Sequence, residues 1–89
     1  MRVIDVFSNN FDKIHGKKRS VKFIILHYTG MQSTIESISR LKSIKSKVSC
    51  HYLISKNGHI YRLVSEKNVA WHAGKSRWGK FVNLNSCSV

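Results

Sequence analysis

Four consecutive apolar residues, Phe23-Ile24-Ile25-Leu26, run into His27-Tyr28-Thr29-Gly30. A run this short and this apolar, closed by turn chemistry, predicts a buried central strand over about residues 21–28. After Gly30 the period changes. Ser33 followed three residues later by Glu36 is a capping box. Ile35, Ile38, Leu41 and Ile44 then recur near helical spacing, which predicts a helix over about 34–45, apolar along one side. Arg40, Lys42 and Lys45 lie toward its end, where cations suit the helix dipole. Val48 to Ile54 predicts a second strand and Ile60 to Val64 a third, with Lys56-Asn57-Gly58-His59 between them. Asn-Gly between two β-rich runs is a strong hairpin signal.

The flanks are less patterned. Residues 1–20 are polar and irregular after the short Val3-Ile4-Asp5-Val6-Phe7 segment. Ser8-Asn9-Asn10-Phe11-Asp12 is turn chemistry, and Gly16-Lys17-Lys18-Arg19-Ser20 is a basic loop. Residues 65–83 read as a loop in which small residues flank Trp71 and Trp78. Together these elements predict an α/β domain with a mixed central β-sheet and one flanking helix.

Charge sharpens the picture. Sixteen Lys and Arg against four Asp and Glu leave a formal charge of +12. That excess predicts attraction to polyanions such as nucleic acid, anionic lipid or an anionic wall polymer. The cations are dispersed apart from Lys17-Lys18-Arg19, and no recognition helix or RNA-binding word accompanies them, so no specific nucleic-acid partner is expected. Cys50 and Cys87 have no CxxC spacing, which excludes a zinc knuckle, and both are expected reduced. No stretch approaches the length of a membrane span. Met1-Arg2-Val3-Ile4-Asp5 does not resemble a signal peptide. The expected location is the cytoplasm, with the periplasm open if residues precede Met1.

Three of the five histidines suit a site. His27 falls at the end of the predicted central strand, where α/β sheets place their chemistry. His51 sits in an alternating strand, whose two faces can serve core and site separately. His72 lies between Trp71 and Ala73. His15 and His59, in a polar loop and a turn, are given no role. No pair has HExxH-type spacing, so motif spacing alone does not define a metal site. The expectation from the residues is that His27, His51 and His72 converge at one end of a small mixed sheet.

Several words of the chain, taken in order, carry a resemblance. They are Ser8-Asn9-Asn10-Phe11-Asp12, Leu26-His27-Tyr28-Thr29, Val48 to Ile54, Gly58-His59-Ile60-Tyr61, Ala70 to Ser76, and Leu84-Asn85. The chain resembles the N-terminal half of a zinc-dependent N-acetylmuramoyl-L-alanine amidase, the family that also holds phage amidases and, more distantly, peptidoglycan recognition proteins. The resemblance implies hydrolysis of the amide between N-acetylmuramic acid and L-alanine in peptidoglycan. It implies Zn2+ as cofactor, peptidoglycan or muropeptides as partners, and His27 as the first zinc ligand. His51 and His72 match positions near the cleft and are assigned to substrate contact or to support of the site. Trp71 and Trp78 are expected to offer flat faces to sugar or peptide.

The family pattern continues after Leu-Asn with Ser-Ile-Gly-Ile-Glu, and only Ser88-Val89 stands here. By resemblance the assisting glutamate, the second zinc histidine and the third ligand belong beyond that word. The four carboxylates present, Asp5, Asp12, Glu36 and Glu66, stand at none of the matching places. The expectation is therefore one truncated amidase domain over 1–89, incomplete at its C-terminus. It would have no catalytic residue of its own and would be inactive alone and marginally stable. A second chain carrying the C-terminal half would complete it. The alternative is a non-catalytic module that binds muropeptides.

Overall fold

The computed structural model describes residues 2–14 and 18–89. His15, in the polar loop, and Gly16 and Lys17, at the start of the basic loop, lie outside the described residues.

A three-stranded mixed sheet forms the centre. Strand β1 (Val3–Asp5) lies in the short apolar segment that precedes the irregular stretch, β3 is Tyr52–Ile54 and β4 is Ile60–Arg62. Their order is β1-β4-β3, with β1 parallel and β3 antiparallel to β4. The hairpin expected at Asn57-Gly58 joins β3 to β4. Its loop is one residue longer than the two-residue form: the Gly58 amide donates to the Ser55 carbonyl at 3.0 Å and the Ser55 amide to His59 at 2.9 Å. Gly58 takes the positive φ of +86° that closes this turn, a conformation that costs glycine nothing and a side-chain residue strain. In the β1–β4 register Asp5 faces Arg62, and the guanidinium donates to both carboxylate oxygens at 2.7 and 3.0 Å.

Strand β2 (Phe11–Asp12) pairs antiparallel with β5 (Val69–Ala70). A small hairpin, β6 (Arg77–Trp78) and β7 (Phe81–Val82), completes the strands. The region expected as plain loop thus holds three short strands. Helix α1 spans Thr34–Lys42, where the Ser33 hydroxyl accepts the Glu36 amide at 3.1 Å as the capping pattern predicts. A 3-10 turn over Ile44–Ser46 follows in place of a further α-helical turn. The expected apolar stripe splits: Leu41 packs on the core, while Ile35 and Ile44 are exposed.

The core is small. Leu63, Val64 and Ala70 are fully buried, with Val6, Phe11, Leu41, Cys50, Leu53 and Tyr61 packed around them. A polar clamp holds helix to sheet. The Asn10 side-chain amide donates to the carbonyls of Ser43 at 2.7 Å and Val48 at 3.0 Å, and Ser8 donates to Leu41 at 2.7 Å. Ser49 donates to the Asn10 carbonyl and accepts the Trp71 amide at 2.9 Å. Carbonyls left open where α1 ends are satisfied in this way rather than by water.

The expectation for residues 21–28 is overturned. That segment is not a buried central strand. It runs beside the last residues of the chain, with Phe23 bridged in parallel to Ser88 and Ile25 donating to Val89 at 2.9 Å. Phe23 and Ile25 are half-buried, whereas Ile24, Leu26 and Tyr28 are 81, 90 and 93 % exposed. Apolar residues are buried by a partner surface, and this segment has one on a single side only.

Candidate functional site

His27 lies near the end of that segment and is exposed. Its Nε2 lies 3.1 Å from Nδ1 of His72, with the rings edge to face at 5.3 Å. His72 is held from both ends. Asn85 Oδ1 accepts the backbone amides of His72 at 3.1 Å and Ala73 at 2.7 Å, fixing the loop that carries the ring. The other ring nitrogen, Nε2, is 3.0 Å from the hydroxyl of Ser88, which is fully buried and donates to the Leu84 carbonyl.

His51 completes the group at a distance, its ring 6.0 Å from that of His72. At 1 % exposure it presents almost no surface to a ligand. Its Nε2 sits 2.9 Å from the Asn68 carbonyl and 3.2 Å from the Arg19 guanidinium. Arg19 in turn donates to the carbonyls of Glu66 at 2.9 Å and Ser88 at 2.7 Å, tying the basic loop to the end of the chain. Three segments distant in sequence therefore meet at this cluster.

Two of the three rings, His72 and His51, are held toward the neutral form. Burial, followed by the charges that His27, His51 and Arg19 can carry, pushes His72 down to about 4. Burial also lowers His51, with Arg19 acting in the same direction and the Asn68 carbonyl and Glu66 against it. Neutral imidazoles keep lone pairs for a metal or a proton. Cys50 is not a candidate donor here: burial raises its thiol to about 11. Both cysteines are free.

Beside His72 lies an open groove of about 530 Å3, lined by Ile44, Lys47, Val48, Trp71, His72 and Asn85. Trp71 is among the residues that line it. Trp78, in β6, is exposed and lies outside this lining. Ser88, Asn85 and Arg19 build the site without having been singled out as site residues. Asn85 was visible in the Leu84-Asn85 word and Ser88 in the Ser88-Val89 start of the word that follows, Arg19 only as one more cation.

A hydrolytic zinc site takes three protein donors and keeps one position for water. Among the described residues, no group of three or more His, Cys, Asp or Glu side chains is placed to hold a metal ion. Two imidazole nitrogens meet, at His27 and His72, and these are too few for such a centre. Nor is any helix among the described residues long and apolar enough to cross a membrane.

Comparison with known proteins bears on these same residues. The chain is 33 % identical over 78 residues to the N-acetylmuramoyl-L-alanine amidase AmiD of Escherichia coli K12, an alignment covering 78 % of this chain and 26 % of that protein. The chain thus spans about a quarter of the length of this curated relative. No solved structure matches it. Residues 17–89, which include all three clustered histidines, the groove and the Asn85 and Ser88 supports, match the family described as N-acetylmuramoyl-L-alanine amidase. By that match the chain belongs to the N-acetylmuramoyl-L-alanine amidase family.

Proposed function

We propose that these 89 residues form part of an amidase domain that hydrolyses the amide between N-acetylmuramic acid and L-alanine in peptidoglycan, and that they do not perform that hydrolysis alone. The observation that carries the reading is the family match over residues 17–89, which encloses His27 and the groove beside His72 and Trp71. His27 is the first zinc donor of the complete domain. His51, buried, supports His72, while Trp71 and Lys47 face a muropeptide. The apolar face of Trp71 suits a sugar ring, and a cation in the groove suits stem-peptide carboxylates. The dispersed charge of +12 favours the same anionic wall material.

The remaining zinc donors would come from residues outside these 89, in the same protein or in a second chain. Release of L-alanyl peptides from purified muropeptides, with zinc supplied, tests this directly. No release by the chain alone is expected; turnover by it would overturn the proposed dependence on further residues.

A second reading is favoured by the incomplete donor set: a module that binds muropeptides without cutting them. Calorimetry with muropeptides in the presence of a chelator separates the two. Metal-independent binding that Trp71→Ala weakens supports the module.

A further inference from the structure

The hairpin of β6 and β7 takes no part in the site described above, and neither strand lines the groove beside His72. Its backbone is nevertheless built to hold a shape. Gly79 and Lys80 form a two-residue turn, and Gly79 takes the φ of +59° that the first turn position of a type II′ hairpin requires. At the base, the Asn83 amide donates to the Ser76 carbonyl and the Leu84 amide to the Ser76 hydroxyl, both at 2.9 Å. Phe81 anchors the ribbon by meeting Phe23 edge to face, with ring centres 5.3 Å apart.

This anchored ribbon carries side chains that its own packing does not use. Trp78 is 69 % exposed and Val82 54 %. Lys75, Arg77 and Lys80 are exposed beside them. No carboxylate stands between Gly74 and Asn83, and among the described residues none of the three cations forms an ion pair. The hairpin thus joins apolar surface in search of burial to positive charge in search of a counterion.

A polyanion such as nucleic acid or a wall polymer would meet the cations and leave Val82 in water. An anionic bilayer surface answers both needs. Its headgroups meet the cations, and tryptophan settles where headgroups give way to acyl chains. The dimensions agree. From the turn to the Arg77–Val82 pair is two residues, about 7 Å of strand, and peripheral segments bury about 5–10 Å into that boundary. End-on entry takes Trp78 and Val82 into the interface and keeps Lys75 at its rim.

We infer that the β6–β7 hairpin docks on a membrane surface rich in anionic lipid, with Trp78 inserted and Lys75, Arg77 and Lys80 on the headgroups. The inference does not depend on the amidase reading.

Sedimentation of the chain with phosphatidylcholine vesicles, with and without phosphatidylglycerol, tests it. Binding is expected only where phosphatidylglycerol is present. A cation beside an anionic leaflet contributes about fivefold in affinity. The combined Lys75→Gln, Arg77→Gln and Lys80→Gln variant should therefore bind roughly a hundredfold more weakly. Changing the exposed Lys42, Lys45 and Lys56 to Gln removes the same charge elsewhere and should cost less than about fivefold. Equal losses in the two triple variants would overturn the site and leave only the overall charge of +12. Trp78→Ala should weaken binding about tenfold. Insertion is read directly in Trp71→Phe, where Trp78 is the remaining tryptophan. Its emission should move to the blue on anionic vesicles and be quenched by brominated acyl chains; unshifted emission sinks the inserted geometry. If Trp71→Phe fails to fold, the parent emission less that of Trp78→Phe supplies the same signal. Tighter binding to DNA or a teichoic acid than to vesicles, weakened by the same hairpin variants, would replace lipid by a polyanion as the partner and overturn the inference. So would no binding to anionic vesicles at all. The vesicles contain no muropeptide, so the amidase reading is judged separately.

Discussion

The Leu63 neighbourhood and the Phe23–Tyr28 segment are both apolar and both extended, yet they have opposite fates. Leu63 and Val64 follow β4 and are sealed by the helix, by Phe11 and by the Ser8–Asn10 clamp. Ile24, Leu26 and Tyr28 belong to a run at least as apolar and stand in solvent. The difference lies in partners. Residues 63 and 64 have packed layers supplied from four other segments, whereas 23–28 has the pairing of residues 87–89 on one side. Hydrophobicity drives burial only where another apolar surface is within reach.

The strongest way to break this comparison is to remove side chains from each region in turn. Leu63→Ala should cost about 2–5 kcal/mol, enough to leave a core this small largely unfolded by circular dichroism. Leu26→Ser should do almost nothing, within about 0.5 kcal/mol. Equal losses in a urea titration would mean that the segment is buried in solution and that the contrast is false.

Asn10→Ala asks whether the seal is polar as well as apolar. It strips the donors from the Ser43 and Val48 carbonyls, and each unmet buried carbonyl costs about 1–3 kcal/mol. Asn10→Asp keeps the shape and loses the donors, so it should be as damaging. A urea midpoint unchanged in both variants would show that water replaces the clamp freely.

Acid gives a milder, reversible probe. The His72 value falls from 6.5 to about 4 on folding, and His51 moves the same way. Between those values the unfolded chain binds protons that the folded chain does not, so stability rises with pH there. In the metal-free chain the contribution is fully present above about pH 6.5 and is lost as pH falls toward about 4. His72→Gln should flatten that slope. A parent urea midpoint constant across this window would mean that the cluster is wetter than its geometry implies.

The smallest expected effect is at the hairpin. Gly58→Ala forces a side-chain residue to a φ of +86° and should cost about 1 kcal/mol. Its value is as a calibration: it lies in a part of the sheet that both the pattern and the structure assign alike.

What the sequence determined by itself was local or written in short words. The Ser33 cap, the start of α1 and the Asn57-Gly58 turn depend on bonds between residues a few positions apart, so their chemistry is visible in a line of letters. The family words carried His27, His51 and His72 toward one place before any contact was known. What only the tertiary structure decided required distant segments to meet. Val3–Asp5 became a strand because β4 supplied its hydrogen bonds, and Ser8-Asn9-Asn10 became a clamp rather than a turn because the end of α1 lay open beside it. Ser88 comes within 3.0 Å of His72 Nε2 only because the end of the chain folds back onto that ring. Residues 23–28 misled for the same reason. A run of apolar residues states what a segment would bury, and only the arrangement of the others decides whether there is anything to bury it against.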